Sequence, residues 1–203
     1  MVIIENLNKS FENKILFKDF NLKIEKGSFV VISGKSGSGK TTLLNMIGGI
    51  ETIDSGNVIV DGIEVHKGKN KRKYYQETVG FLFQNFGLLE NKTVKQNLDL
   101  IKKDNRNDVT VSDVLMRVGL SGMEEKKVYT LSGGEQQRVA LARLMLKKCS
   151  IILADEPTGS LDEGNSKRVM DILHELNEMG KTVLLVTHNK DIIESEGNVI
   201  NIG

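Results

Sequence analysis

Continuous apolar runs and helical patterns alternate along much of the chain. The runs 29–32, 151–154 and 182–186 are almost entirely apolar, and the segment 42–47 after the first run has a helical pattern. A strand that is buried on both faces of a parallel sheet needs such a run, whereas a half-buried strand alternates polar and apolar residues. We therefore predict a mainly parallel sheet that contains these three runs.

The N-terminal part of the chain has a different pattern. Residues 2–7 and 16–24 are predicted as short strands, and apolar and polar side chains alternate strictly over 20–24. Residues 57–65 are predicted as a hairpin that turns at Gly62. Strict alternation is typical of antiparallel strands with one solvated face. This part is therefore predicted to form an antiparallel β subdomain.

Residues 86–147 are predicted to form a helical insert between the strands. A capping-box pattern begins at Thr93, and apolar residues follow it at Leu98, Leu100 and Ile101. Apolar residues with helical spacing occupy 111–118, and Gly119 suits the position just past a helix end.

A glycine-rich loop between a predicted strand and a predicted helix indicates a phosphate site. Residues 34–41 match G-x-x-x-x-G-K-[ST], in which backbone N–H groups surround a polyphosphate. Lys40 is expected to reach the β- and γ-phosphates, and Thr41 to ligate Mg²⁺. The positive end of the following helix faces the same phosphates. The predicted nucleotide-binding residues of this loop are Gly34, Ser36, Gly37, Ser38, Gly39, Lys40, Thr41 and Thr42.

Two acids follow the apolar run 151–154. Ligands of open α/β sheets bind beyond the carboxyl ends of the strands, which is where Asp155 and Glu156 lie. Asp155 is predicted to hold Mg²⁺, and Glu156 to polarise the attacking water. Both could instead be acids in a turn before Pro157, but the phosphate loop favours the catalytic interpretation.

A second glycine motif occupies 131–138. Ser132 and Glu135 have the spacing of a helix capping box, which is a sufficient structural reason for both residues. A helix N-terminus is also an anion site, so capping and phosphate binding are compatible. Spacing alone favours the cap.

Together these motifs make the chain similar to the ATP-binding subunit of an ABC transporter over essentially all 203 residues. The family's Q-loop matches Gln84, its signature matches 131–137, its D-loop matches 160–162, and its switch histidine matches His188. The resemblance implies an α/β fold with a P-loop NTPase core, a mainly parallel sheet, an N-terminal antiparallel β subdomain and a helical subdomain that carries the signature. One ABC-type domain is expected over 1–203.

The resemblance also implies ATP and Mg²⁺ as cofactors and an ATP-dependent homodimer. In that dimer Ser132, Gly133 and Gly134 contact the γ-phosphate that the partner chain holds, and Asp162 shapes the water position across the interface. Hydrolysis of this phosphate opens the dimer.

Further roles in the chain's own site follow from the same resemblance. Gln84 is expected to contact Mg²⁺ and water, and to sense a membrane partner. His188 hydrogen-bonds the γ-phosphate and holds Glu156 in line. Phe11 matches the aromatic position that stacks on adenine, although a core phenylalanine is the alternative. The expected catalytic residues are Glu156, His188, Gln84 and Lys40, and the expected metal ligands are Thr41, Gln84 and Asp155.

Within the family, the segments 83–89 and 155–162 resemble the macrolide-export, lipoprotein-release and bacteriocin-export group. This implies an ATPase on the inner face of the cell membrane that is bound to a membrane-spanning permease. Phe86, Leu88 and Leu89 are expected to form a partly exposed docking surface for the permease. The alternatives are an ABC-type ATPase that drives signalling or mechanical work, and a soluble ATPase that acts on ribosomes or DNA. The sequence names no cargo.

Composition narrows these alternatives. The net charge of +1 gives no reason to expect a nucleic-acid partner, and the lysine- and arginine-rich stretch 67–73 is better explained as a solvated loop than as a nucleic-acid or lipid contact. The single Cys149 excludes an internal disulfide and is predicted to be a packing residue. We expect no signal peptide at the start, and no accessory domain after the final predicted strand.

Overall fold

The computed structural model describes residues 1–12, 14–67, 71–159 and 161–202. Its strands form two sheets, a four-stranded antiparallel sheet in the order β2-β1-β4-β5 and a five-stranded parallel sheet in the order β6-β7-β8-β3-β9. The strands are β1 (Val2–Phe11), β2 (Lys14–Ile24), β3 (Phe29–Ser33), β4 (Ser55–Val60), β5 (Ile63–Glu64), β6 (Val79–Leu82), β7 (Ile151–Asp155), β8 (Thr182–Val186) and β9 (Val199–Asn201). The mainly parallel sheet and the antiparallel subdomain are thus both confirmed.

Helices cover both faces of the parallel sheet. They are α1 (Lys40–Ile47), α2 (Lys71–Lys73), α3 (Val94–Leu98), α4 (Val111–Arg117), α5 (Gly133–Leu146), α6 (Glu163–Glu178) and α7 (Lys190–Ser195). A π-helical turn, Tyr74–Thr78, continues α2, and short 3₁₀ turns occupy Lys103–Asn105 and Val128–Thr130.

Alternate residues of the parallel strands enter two different hydrophobic cores. In β3, Val31 belongs to the core that contains α4, α5 and α6, whereas Val30 and Ile32 belong to the core that contains α1 and the antiparallel sheet. Both faces of each strand are therefore apolar, which explains the unbroken runs in the sequence. Cys149 is buried in the first core, as predicted, and burial raises the pKa of its thiol.

Strand β1 continues beyond the predicted 2–7, and the prediction stopped too early because the polar second half of the strand is irregular. Asn6 has a φ of 48°, and the pairing with β2 shifts register after Ile4, Leu7 and Lys9. Such bulges interrupt the side-chain alternation by which a strand is recognised in sequence. The strand nevertheless continues to Phe11, and this brings the phenylalanine to the edge of the parallel sheet's functional end.

The segment between β6 and β7 contains α3, α4 and α5. Thr93 begins α3 with a complete capping box, and Gly119 follows α4 with a φ of 70°, as predicted. The helix α3 is shorter than the apolar pattern suggested, because it ends at Leu98 and leaves Leu100 exposed. Arg106 holds the segment after the helix, since its Nε donates to the Ile101 carbonyl at 2.7 Å.

The positively charged stretch is solvated where it is described. Lys67 and Lys71–Lys73 are exposed, while Lys69 lies outside the described residues. Tyr74, immediately after them, is buried, and its hydroxyl donates to the Ile47 carbonyl at 2.6 Å. The charges therefore project from a turn that one buried tyrosine holds against α1.

Candidate active site

An open cleft of about 690 Å³ runs from the antiparallel sheet over the glycine-rich loop to the ends of β7 and β8. The antiparallel sheet contributes Phe11 and Leu16, and the parallel strands contribute Val186 and the residues that follow them. The predicted site residues that line it are Phe11, Gly34, Ser36, Gly37, Gly39, Lys40, Thr41, Thr42, Glu156 and His188.

The loop between β3 and α1 is built to hold an anion. Gly39 stands at the N-cap of α1 with a φ of 98°, and a Cβ built on it would lie 3.0 Å from the Phe17 ring, so the loop enters the helix here through glycine. The N-terminus of α1, where Lys40 and Thr41 line the cleft, is an anion-binding position. Lys40 Nζ donates to the carbonyls of Gly34 at 2.7 Å and Lys35 at 3.0 Å, which places its ammonium over the loop. Ser38 Oγ is buried and has no hydrogen-bond partner among the described residues. The Lys40 ammonium and the start of α1 thus border the cleft, whereas Ser38 lies in the loop but is not among the residues that line the cleft.

Gly34 is required by packing as well as by the loop. A Cβ built on this residue would lie 2.1 Å from the carbonyl oxygen of Ile202, just after β9. The same residue, Ile202, donates its N–H to the Ser33 carbonyl at 2.9 Å. The glycine-rich loop therefore lies directly against the end of the last strand.

The predicted metal ligands converge below the loop. Thr41 Oγ1 donates to Asp155 Oδ1 at 3.1 Å, and Gln84 is exposed in an adjoining cleft of about 360 Å³ that Asp155 also lines. Burial raises the pKa of Asp155; the Thr41 hydrogen bond and the Lys40 charge oppose this, and the Glu156 charge adds to it. No cluster of three histidine, cysteine or acidic residues forms in the part of the chain that the structure describes. A hydroxyl, a carboxylate and an amide beside a phosphate loop suit Mg²⁺, which takes few protein ligands when phosphates complete its shell.

Glu156 is held by the end of β8. Its N–H donates to the Val186 carbonyl at 2.9 Å, and Thr187 Oγ1 donates to its Oε2 at 3.3 Å. His188 Nδ1 lies 2.7 Å from its Oε1, where a ring N–H donates to the carboxylate. Glu156 also has a φ of 46°, a conformation that costs a non-glycine residue energy and is common at functional sites. The carboxylate is thus oriented by two side chains at the floor of the cleft.

Phe11 stands at the mouth of the cleft rather than in a core. Its side chain is 45% exposed, so the alternative of a core phenylalanine is wrong. Lys9 Nζ lies 4.4 Å from the centre of the Phe11 ring, and Lys9 itself is only 5% exposed because Glu51 and Asp54 pair with it. One side of the ring is therefore covered by a fixed cation, and Lys9 is absent from the cleft lining.

The second glycine motif lies outside this cleft, at the start of α5. Ser132 and Glu135 form the predicted capping box, with Ser132 N–H donating to Glu135 Oε2 at 2.8 Å. A Cβ built on Gly133 would meet no described heavy atom within 4 Å beyond its neighbours and its own helix. The fold of the chain itself thus leaves the front of this helix open.

The D-loop acid begins α6. Asp162 Oδ1 accepts the backbone N–H of Asn165 at 2.9 Å, and this hydrogen bond, with a second from the Asn165 side chain, lowers the pKa of Asp162. Ser160, in the same loop, lies outside the described residues.

These arrangements match a known family. A family model described as "ABC transporter" matches residues 17–159. The chain belongs to the ABC transporter family.

Full-length comparisons agree with this assignment. The ABC chain is 40% identical over 213 residues to the macrolide export ATP-binding/permease protein MacB of Neisseria meningitidis serogroup A. The alignment covers 100% of the chain and 33% of that protein. MacB of Campylobacter jejuni is also 40% identical, over 209 residues, with the same coverage. The chain therefore spans about a third of the length of these curated relatives.

Solved structures resemble the whole ABC chain. A dimeric structure of the bacterial ABC transporter cassette MJ0796 is 34% identical, with a TM-score of 0.88 over 100% of this chain and 94% of that one. A dimeric post-hydrolysis state of the same cassette, bound to ADP and Pi, has a TM-score of 0.85 at 33% identity. The predicted α/β fold is confirmed.

Several contacts of this ABC cassette were not predicted from its sequence. The sequence position of Thr187 beside His188 could have indicated its contact with Glu156. The position of Asn165 three residues after an N-cap acid could have indicated its hydrogen bond to Asp162. No such indication was present in the sequence for Lys9, which lies over the Phe11 ring, or for Arg138, whose Nη1 donates to the Asn165 side chain. Among the described residues, every helix is too short or too polar to cross a bilayer.

Proposed function

We propose that this ATPase cassette energises an exporter, hydrolysing ATP to move cargo through a separate membrane-spanning permease. The observation that carries the ATPase function is the convergence, in one cleft, of the glycine-rich loop and the Glu156–His188 pair. Export is supported by the 40% identity to macrolide export proteins that combine ATP-binding and permease parts. We treat 1–203 as one ABC-type domain with a helical subdomain at 86–147, since α3, α4 and α5 pack in one core.

ATP fits the cleft with its adenine on Phe11 and its phosphates over the loop. The Lys40 ammonium over the loop is the group that pairs with phosphate oxygens, and the buried Ser38 hydroxyl, which has no hydrogen-bond partner among the described residues, lies within the same loop. Thr41, Asp155 and Gln84 offer the oxygen ligands for Mg²⁺. When bound, this ion neutralises charge on the β- and γ-phosphates.

Glu156 accepts the proton of the attacking water, and ADP and phosphate are the products. His188 and Thr187 fix the carboxylate through hydrogen bonds, so that one orientation is available before substrate arrives. Positioning of this kind supplies most of the barrier reduction in phosphoryl transfer.

A nucleotide-bridged homodimer completes the site. Ser132, Gly133 and Gly134 lie outside the chain's own cleft, so a phosphate held in that cleft meets them only on a second chain. Gly133 faces open space, which leaves room for such an approach. The related cassette MJ0796 was solved as a dimer. In a two-fold arrangement the same surface closes both sites, and ATP binding is linked to dimerisation.

The dimer is tested by Gly133→Ala, with Gly197→Ala as the matched control. Both glycines have room for a Cβ in the isolated chain. Alanine at Gly133 removes a helix-disfavouring glycine, so the melting temperature is expected to stay the same or rise. ATP-dependent dimerisation, measured by sedimentation, is expected to be lost in Gly133→Ala alone. A normal ATP-dependent dimer in Gly133→Ala would contradict the proposed contact.

The permease docks beside the Q-loop, on a groove of about 240 Å³ between the two cores. Leu100 lines it and is 53% exposed, while Arg143 fixes one wall by donating to the Phe86 and Gly87 carbonyls. An apolar helix end of the permease fits this groove. Docking there places the chain in the cytoplasm, on the inner face of the membrane.

Docking is tested by Leu100→Asp, with Met116→Asp as the control. Met116 is also exposed, at 64%, but lies on α4 and is not among the residues that line the groove. We expect Leu100→Asp to keep ATP binding while losing co-sedimentation with membranes that contain the permease. Equal co-sedimentation of both variants would exclude the groove as the docking surface.

A further inference from the structure

One side chain, Asn165, connects the signature helix to the D-loop. Its Nδ2 donates to Asp162 Oδ2 at 2.5 Å, and its Oδ1 accepts a hydrogen bond from Arg138 Nη1 on α5. Its backbone N–H also donates to Asp162. The Asn165 amide thus donates to the D-loop acid Asp162 and accepts from Arg138 on the signature helix.

The same side chain also reaches the signature glycines. A Cβ built on Gly134 would lie 3.1 Å from Asn165 Nδ2, so this amide packs against the first turn of α5. A second hydrogen bond, from Gln137 Nε2 to the Pro157 carbonyl at 2.9 Å, joins α5 to the segment just after Glu156. The two hydrogen bonds join α5 to positions on either side of the D-loop, Pro157 before it and Asn165 after it, and so restrict the movement of α5 relative to that loop.

The network is only partly satisfied. Gln137 Oε1 and Arg138 Nε are buried and have no hydrogen-bond partner among the described residues. Removal of one more partner from a buried, incompletely paired network costs more than the loss of an isolated surface hydrogen bond. The hydrogen bond from Arg138 to Asn165 Oδ1 therefore holds this arginine, and with it α5, against the D-loop.

We propose that Asn165 is a positioning residue that makes the signature and the D-loop of one chain move as one body. When Ser132 and Gly133 close on the phosphate held by the partner, Asn165 carries the movement to Asp162. Asp162 is expected to shape the water position across the interface, so the signature and this acid approach the partner's site together. This inference rests on the nucleotide-bridged dimer proposed above.

The test compares Asn165→Ala and Asn165→Asp with the control Lys167→Ala. Asn165→Asp keeps the acceptor for Arg138 but places a carboxylate against Asp162, whereas Lys167 is exposed on the same helix and pairs with Asp171 at the helix surface. Asn165 does not line the ATP cleft, so nucleotide affinity of the single chain is expected to be unchanged in every variant.

Steady-state hydrolysis is then measured for each variant. Both Asn165 variants are expected to lower kcat about tenfold, a loss of about 1.4 kcal/mol of transition-state stabilisation, and the control to keep it. In a double-mutant cycle with Asp162→Ala, Asn165→Ala is expected to add little further loss, because it acts through that acid. Additive losses, an unchanged kcat, or loss of nucleotide affinity would each overturn the proposal.

The dimer is checked separately with Glu156→Gln and ATP. A chain that stays monomeric there removes both the dimer and the Asn165 proposal. A dimer together with additive losses in the cycle removes the Asn165 proposal alone.

Discussion

Replacement of Glu156 by glutamine separates ATP binding from hydrolysis. Glutamine keeps the shape of the side chain but cannot accept the proton of the attacking water. A positioned general base contributes about 10²–10⁴-fold to a rate, which corresponds to about 3–5 kcal/mol of the barrier. Glu156→Gln is therefore expected to lower kcat by this factor.

The structure indicates that the variant still folds. The change affects two side-chain hydrogen bonds, from His188 Nδ1 at 2.7 Å and Thr187 Oγ1 at 3.3 Å, and leaves the backbone hydrogen bond to Val186 in place. The threonine hydroxyl can rotate, and the imidazole can change tautomer, so that each faces either end of the amide. The cost is about 1–2 kcal/mol, small against the 5–15 kcal/mol by which domains are usually stable.

The assay measures phosphate release and sedimentation in parallel. Glu156→Gln is expected to accumulate as an ATP-bound dimer, since the bridging phosphate is not removed, and Lys40→Ala to lose both nucleotide and dimer. Glu178→Gln, the same change at an exposed position on α6, serves as the control. Near-normal turnover in Glu156→Gln would refute its role as the base, and a monomer saturated with ATP would refute the dimer.

Three further outcomes are expected. Burial raises the pKa of Asp155, so its ionised form costs folding stability once the pH rises through the folded pKa. Asp155→Asn should therefore raise the melting temperature of the nucleotide-free protein at pH 7 while abolishing hydrolysis. An unchanged or lower melting temperature would contradict this. Lys9→Met should raise the KM for ATP about two- to fivefold, because it removes the cation beside the Phe11 ring. Inhibition by inorganic triphosphate should be unchanged, and the control Lys23→Met should leave the KM for ATP unchanged. Leu88→Asp should lower the melting temperature by several degrees, because Leu88 packs on the helical core. Leu89→Asp should not lower it, since Leu89 is 48% exposed. Equal melting temperatures of the two variants would show that Leu88 is not a packing residue.

This last difference divides the expected docking surface. The sequence predicted a partly exposed apolar segment after Gln84, and within it Phe86 and Leu88 pack partly against the first core while Leu89 is 48% exposed. Adjacent apolar residues in an irregular loop have no fixed period, so the sequence carried no information on which of them faces inward.

The chemistry at the ends of the strands could be predicted because parallel strands align their carboxyl ends. Asp155 pairs with Val186 in register, and this alone brings the acids after β7 near the residues that follow β8. The order of apolar run and polar residue was therefore sufficient to locate Asp155 and Glu156 at this end of the sheet, whereas His188 was assigned to the site by the family resemblance.

Contacts between distant segments could not be predicted in the same way. The pairing of Arg138 with Asn165, and of Lys9 with Phe11, depends on how helices and sheets pack, and packing leaves no periodic signal in the chain. The extension of β1 was also missed, because its bulges remove the alternation on which strand prediction depends.

The contact between Gly34 and the end of β9 makes the last strand part of the nucleotide equilibrium. Ile202 closes against the loop through its carbonyl and holds Ser33 through its N–H, so an opening of this edge strand also frees the loop. A ligand that binds only the closed loop must stabilise the strand by RT ln(1 + [L]/Kd). Amide hydrogen exchange at Ile200 and Ile202 should therefore slow as ATP is added, which makes two amides of the last strand a local reporter of occupancy.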